Sequence, residues 1–65
     1  MISVNGEARE GAGKTVAELL AGLGVRAERG VAVAVDAEVV PRGEWPARVV
    51  PEGARVEVLS AMQGG

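Results

Sequence analysis

The sequence TVAELLAGLG, residues 15–24, decides how the rest of the chain is arranged. Its apolar side chains at 16, 19, 20 and 23 recur with the spacing of one helix face. Thr15, with Glu18 three residues later, predicts a capping box at the start of this helix. Gly24 is the residue type at which helices commonly end. Because only one stripe of the helix is apolar, we expect it to pack on one face of a sheet.

The residues before the helix predict a β-hairpin. Ile2 and Val4 share one face of a strand, and polar residues occupy the other face. Asn5-Gly6 follows, and this pair favours a type I′ turn, in which both central residues need positive φ. The return strand, residues 7–10, is short and polar, which is typical of a sheet edge.

The residues after the helix predict a second hairpin. The run VAVAV at 31–35 is apolar on both faces, which indicates a strand inside the sheet. Asp36-Ala37 can turn the chain into a short strand at 38–40, and Pro41 ends that strand because proline donates no ladder hydrogen bond. Residues 42–46 are expected to form a tight turn or a piece of 3₁₀ helix.

The last predicted strand covers residues 55–59, after a turn at 51–53, with Val56 and Val58 facing the helix. The order is therefore β-β-α-β-β-β. If the last strand lies beside the first, the two run parallel, and the fold is the α+β class β-grasp, or ubiquitin-like, fold: a mixed sheet with one main helix on one face. We expect a domain at 1–60 and a flexible tail at 61–65, which ends in Gly64-Gly65.

Composition narrows the classes of function. A chain of 65 residues has room for one small domain. It contains no cysteine and no histidine, which argues against an autonomous enzyme and against a metal site. The net charge of −2 and the lack of a basic cluster argue against nucleic acid binding. Without a membrane-length apolar run or a signal peptide, we expect a soluble cytoplasmic protein with no membrane partner.

Taken together, these segments resemble the sulfur carriers of thiamine biosynthesis, the ThiS family. The resemblance covers nearly the whole chain, and its most specific part is VPRGEW at 40–45 at this distance before a terminal Gly-Gly. One departure is Ala54, where family members usually carry an acidic residue. The matching segments are Asn5-Gly6, TVAELL at 15–20, VAVD at 33–36, VPRGEW at 40–45, PEGARVEV at 51–58 and QGG at 63–65.

The resemblance implies a mechanism centred on Gly65. Its carboxylate would be adenylated by an E1-like adenylyltransferase, which uses ATP and Mg²⁺, and then converted to a thiocarboxylate by a sulfur-donor relay (a cysteine desulfurase or similar protein). Thiazole synthase would take the sulfur. Gly64, Gln63 and Met62 would form the part of the tail that enters the partner. The chain itself would bind no cofactor and no metal.

Two further groups of residues have competing interpretations. Leu59, Ala32 and Ala34 are predicted on the sheet face away from the helix, where they form either a partner-docking patch or ordinary exposed surface. Arg42 could contact a partner or a backbone carbonyl, whereas Trp45 is expected to cover the open end of the aliphatic core. For Pro41, Arg42 and Trp45 we favour a structural role.

Other functions fit the same fold. A sulfur carrier for molybdopterin or another metabolite has a similar fold and ending. A β-grasp interaction module that carries nothing belongs to a different class, and in it Gly64-Gly65 would have no role. Deletion of the tail distinguishes the two classes, because such a module would keep its binding activity.

Overall fold

The computed structural model describes residues 1–25 and 30–60. The order of helix and strands is the predicted one, and each element lies within two residues of its expected position. The elements are β1 (Ile2–Val4), β2 (Glu7–Arg9), α1 (Val16–Gly22), β3 (Val31–Val35), β4 (Glu38–Val40), a 3₁₀ helix (Arg42–Glu44) and β5 (Arg55–Ser60).

The five strands form one mixed sheet in the order β2-β1-β5-β3-β4. β1 and β5 run parallel, with Val4 opposite Val56, and the other neighbours are antiparallel. The predicted β-grasp arrangement is therefore confirmed. β2 lies at an edge and β3 is paired on both sides, as expected, while the middle position belongs to β5.

Both hairpins turn through residues with positive φ. Asn5 has φ of 51° and Gly6 of 87°, as the type I′ prediction requires. In the second hairpin the equivalent residues are Asp36, with φ of 51°, and Ala37, with φ of 68°. Alanine is strained in this left-handed region because of its Cβ atom. Pairing of β3 with both β4 and β5 therefore imposes a backbone conformation that residue 37 does not itself favour.

Helix α1 begins and ends with the predicted caps. Thr15 N donates to Glu18 Oε1 at 2.9 Å and Glu18 N donates to Thr15 Oγ1 at 3.1 Å, which completes the capping box. At the other end Gly24 has φ of 78°. Its N–H donates to Ala21 O at 3.1 Å and Val25 N donates to Leu20 O at 2.9 Å, the pair of bonds that defines a Schellman motif.

The segment after the 3₁₀ helix supports the start of α1. The first N–H groups of a helix have no partner within the helix. Here Val16 N donates to Arg48 O at 2.8 Å and Ala17 N donates to Trp45 O at 3.1 Å. The loop from 45 to 50 is thus held against the helix by the groups that the helix leaves unpaired.

One aliphatic core lies between α1 and the sheet. Three of the four residues of the predicted helix stripe are buried, and Leu23, the last, is half-buried at the end of the helix. The buried apolar residues are Ile2, Val4, Val16, Leu19, Leu20, Val33, Val35, Val40, Trp45, Val50, Ala54 and Val56. Most of this core is valine and leucine, so the stability of the domain depends on their close packing.

The last strand is one residue longer than predicted. β5 includes Ser60, which lies opposite Val31 of β3. A polar residue at a strand end gives no signal in the pattern of alternation, which is why the sequence predicts an end at Leu59. The predicted tail, residues 61–65, lies outside the described residues, and the division into 1–60 and 61–65 stays a prediction.

Leu20→Ala tests the core. Leu20 is 2% exposed and packs between α1 and the sheet, so the truncation should lower the free energy of unfolding by about 2–5 kcal/mol. Urea unfolding followed by circular dichroism measures the change. Leu23→Ala, at the half-buried end of the same stripe, is the control and should lose less. Equal losses would contradict the helix orientation described here.

Candidate functional site

The root of the predicted tail is the end of β5. Leu59 lies opposite Ala32, and Ser60 opposite Val31, so β3 pairs with β5 up to its last residue. β1 pairs with the first half of β5 from the other side. The predicted sulfur-carrying residue and the predicted insertion segment follow this root, and they lie outside the described residues: Gly65, Gly64, Gln63 and Met62.

Asn5 contacts the last strand at this root. Its backbone N–H donates to Val56 O at 2.9 Å. Its side-chain Nδ2 donates to Val58 O at 3.1 Å, and its Oδ1 accepts from Val58 N at 2.8 Å. The sequence predicts Asn5 as a turn residue only, and nothing local to it indicates a partner 53 residues away.

The sheet face away from α1 carries an exposed apolar patch. Ala32 and Leu59 are directly opposite each other, and Val39 is opposite Ala34 on the other side of β3. Leu59 is 69% exposed and Val39 is 71% exposed; Ala32 is exposed and Ala34 is half-buried. We call these four residues the outer patch. The structure thus brings together the three predicted docking residues.

Val39 is a member of the outer patch that is not among the residues predicted from the sequence. Alternation within residues 38–40 gives no usable signal, because residues 39 and 40 are both valine and the buried Val40 shares its strand face with the polar Glu38. Along β5, the same outer face carries Arg55 and Glu57 before Leu59, so its polar residues precede its apolar one. Leu59 is the apolar residue of this face nearest the root of the tail.

An open groove of about 400 Å³ lies on the helix side of the same root. It is bounded by the first hairpin, the end of α1 and the end of β5, with Val25, Val58 and Ser60 among its walls. Glu7 and Arg9 at its rim form an exposed ion pair at 3.8 Å. Such a pair contributes little energy, and the groove brings together no arrangement of acid, base and nucleophile among the described residues.

Trp45 is a core residue. It is 2% exposed, and its Nε1 donates to Val40 O at 2.9 Å. Arg42 is exposed, with its guanidinium carbon 5.9 Å from the centre of the indole ring, a distance suited to a cation–π contact. The predicted structural role of Trp45 is therefore confirmed, and Arg42 contacts the ring from the solvent side.

Neither a metal-binding cluster nor a membrane-spanning helix occurs among the described residues. Within residues 1–25 and 30–60, no three acidic, histidine or cysteine side chains come close enough together to hold a metal ion. Within those ranges no helix is both long enough and apolar enough to cross a bilayer.

Several known proteins of one family are similar to this chain in sequence and in structure. The model of the ThiS family matches residues 2–65. The chain is 43% identical, over 65 residues covering all of both chains, to Sulfur carrier protein ThiS of Thermus thermophilus. It is 37% identical to Sulfur carrier protein ThiS of Escherichia coli, over 83% of this chain and 80% of the relative. Among solved structures, the thiamine biosynthesis protein (ThiS) of Geobacter metallireducens is similar, with a TM-score of 0.77 and 37% identity over 98% of this chain and 97% of that chain.

Trp45→Phe tests the structural role of the indole. The substitution removes the hydrogen bond to Val40 O and part of a buried ring, so the free energy of unfolding should fall by about 1–3 kcal/mol. Because Trp45 is the only tryptophan, unfolding of both proteins in urea is followed by far-ultraviolet circular dichroism. An unchanged free energy would contradict the assignment.

Proposed function

The chain belongs to the ThiS family, and we propose that it carries sulfur for thiamine biosynthesis on its last residue, Gly65. The observation that carries this proposal is the match to the family, which reaches residue 65 and covers the whole length of the relative from Thermus thermophilus. The relatives are named as sulfur carrier proteins, and we propose the same role for this chain: a carrier on which partner enzymes act.

The position of the tail root supports this proposal. Five residues follow Ser60, and an extended segment of that length reaches about 17 Å. Two glycines without Cβ atoms make the end of this segment as thin as a polypeptide can be. Such a segment can pass through a narrow channel of a partner while the folded domain stays outside.

The chemistry of Gly65 requires activation. An α-carboxylate has a reference pKa near 3.5, so it is ionised at neutral pH and is a poor electrophile. We propose that a carboxylate oxygen attacks the α-phosphorus of ATP, which releases pyrophosphate and leaves an acyl adenylate. A persulfide of the donor relay then attacks the carbonyl carbon and AMP leaves, which gives an acyl disulfide. A thiolate of the partner proteins attacks the relay's sulfur in that disulfide, so the sulfur–sulfur bond breaks, a new disulfide forms between the two partner thiols, and the thiocarboxylate is released.

The partners supply what this chain lacks. With no cysteine in its sequence, the chain has no thiol on which to carry sulfur, which favours the terminal carboxylate as the carrier group. An E1-like adenylyltransferase holds ATP and Mg²⁺, and thiazole synthase receives the sulfur. The chain itself holds no cofactor. We place this exchange in the cytoplasm, where ATP is available.

The outer patch is the proposed docking surface for the adenylating partner. Leu59 is the residue before Ser60, so a partner bound at Leu59 and Ala32 is next to the root of the tail. Exposed apolar side chains on an otherwise polar sheet face favour association with a complementary surface. Docking there would bring the tail toward the active site of the partner.

Sulfur transfer to Gly65 is the central test. The chain, its E1-like partner, ATP, Mg²⁺ and a sulfur donor are incubated, and intact-mass spectrometry should show replacement of one oxygen by sulfur. Peptide fragmentation should locate the sulfur at Gly65. Deletion of Gly65, or addition of one residue after it, should abolish the product and leave the circular dichroism spectrum unchanged.

A bulky residue near the end of the tail tests passage through the partner. Gly64→Leu should slow adenylation, whereas Gly22→Leu is the matched control, because a Cβ at Gly22 has no atom within 4 Å and its φ is not positive. Sulfur found elsewhere on the chain, or accepted by the truncated protein, would overturn the mechanism.

Leu59→Ser tests the docking surface. Leu59 is 69% exposed, so the substitution should change the free energy of unfolding by less than about 0.5 kcal/mol. The affinity of the Leu59→Ser variant for the adenylating partner should fall about tenfold, the effect of losing one anchor residue at an interface. Val49→Ser is the control, because Val49 is 52% exposed and pairs with Thr15 away from the outer patch. Equal effects of the two substitutions, measured by titration calorimetry, would contradict docking at the patch.

A further inference from the structure

The pairing between β1 and β5 continues beyond the end of β1. Every second carbonyl of the last strand and its approach accepts a hydrogen bond from the β1 side. Ser3 N donates to Ala54 O at 3.0 Å, and Asn5 N donates to Val56 O at 2.9 Å. The next carbonyl, Val58 O, accepts from the side chain of Asn5, because the backbone turns away at Asn5-Gly6.

The Asn5 amide replaces the backbone that has turned away. A primary amide has an N–H donor and a carbonyl acceptor, as a peptide group does. Asn5 uses both toward the same residue: Nδ2 donates to Val58 O at 3.1 Å and Oδ1 accepts from Val58 N at 2.8 Å. The pairing of β5 on this side therefore extends two residues further than the backbone of β1 allows.

The backbone and the side chain of residue 5 impose different requirements. A φ of 51° is tolerated by glycine, asparagine and aspartate. Of these three, aspartate in its ionised form offers acceptors only and glycine offers neither group. Asparagine alone satisfies the turn, the N–H of Val58 and the carbonyl of Val58 together.

We propose that Asn5 is a positioning residue that holds the end of β5, from which the proposed sulfur-accepting segment departs. Its side-chain amide is the last hydrogen-bonded link between the first hairpin and β5, and together with the β3 pairing that reaches Ser60 it holds the end of β5 from both sides. This inference rests on the proposed function, because it assigns a role to the start of the tail that a partner must receive. Asn5 acts through Val58 and touches no reacting atom.

The Asn5 amide affects the reaction through the fraction of molecules that the partner can bind. If residues 58–60 are held from the β1 side as well as by β3, most molecules present the end of β5 in the arrangement that the partner accepts. When only a fraction of molecules is competent, the apparent affinity falls by that fraction. Once the tail is inserted, the partner sets the geometry of the carboxylate, so loss of the amide should raise KM and leave kcat unchanged.

The second hairpin supplies a matched control. Asp36 also has φ of 51° in a turn, and its Oδ1 accepts from Arg55 N at 2.9 Å at the opposite end of β5. Glycine fits the backbone at both positions. Asn5→Gly and Asp36→Gly therefore make the same kind of change in the two turns, and each removes side-chain bonds to the same strand.

The test combines kinetics with amide exchange. With the adenylating partner, ATP and Mg²⁺, pyrophosphate release should show KM for Asn5→Gly raised about three- to tenfold, the effect expected for two lost hydrogen bonds. The kcat should stay within about twofold of the wild-type value. Asp36→Gly should keep the wild-type KM. By NMR, the amide of Val58 should exchange faster in Asn5→Gly and at the wild-type rate in Asp36→Gly.

Asn5→Asp makes the test independent of how well Asn5→Gly folds. Aspartate also tolerates positive φ and keeps the acceptor for Val58 N. The variant loses one hydrogen bond, the same number that Asp36→Gly loses. KM should rise in Asn5→Asp as well. If Asn5→Gly and Asn5→Asp both match Asp36→Gly in KM and in Val58 exchange, the positioning role is wrong. A wild-type chain that releases no pyrophosphate overturns the proposed function instead, and Val58 exchange then still decides whether Asn5 holds the strand.

Discussion

The pairing of β5 with β1 on one side and with β3 on the other holds the domain together. The first hairpin and the second hairpin share no direct strand contact, and β5 lies between them. A two-stranded hairpin alone is marginally stable in water. Val56 lies opposite both Val4 and Val35 and is fully buried, so it joins both hairpins to the core beneath α1. The strand that completes the sheet is also the strand from which the tail departs.

The parts of the fold that the sequence predicts are those encoded within a few residues. The capping box joins Thr15 to Glu18, the first turn needs only Asn5-Gly6, and alternation along 31–35 is a property of one strand. Such signals do not depend on which distant segment becomes the neighbour. The parallel pairing of the first and last strands follows from the order of the elements. If the last strand takes its place in the sheet beside the first, the two must run parallel, as they do.

The parts that could not be predicted depend on register between distant segments. Val39 joins Ala34 on the outer patch only because β3 and β4 pair in one particular register. The side-chain amide of Asn5 reaches Val58 only because β1 ends at Val4 and the chain turns at Asn5. Ala37 adopts positive φ against its own preference, because tertiary pairing outweighs local propensity there. The sulfur-carrying role proposed for Gly65 rests on the resemblance to the family and not on the pairing of distant segments.

Burial divides β5 into a first half that contributes to the core and a second half that is largely exposed. Val56 is fully buried, Val58 is half-buried, and Leu59 and Ser60 are exposed. The strand thus contributes to the core with its first half and presents side chains to solvent with its second half. Because a substitution of an exposed residue costs little folding free energy, the second half can change in sequence while the first half holds the sheet. The two Asx side chains, Asp36 at Arg55 and Asn5 at Val58, bind the backbone of this strand at both ends. These bonds go to the backbone, so they hold the strand whichever side chains it displays.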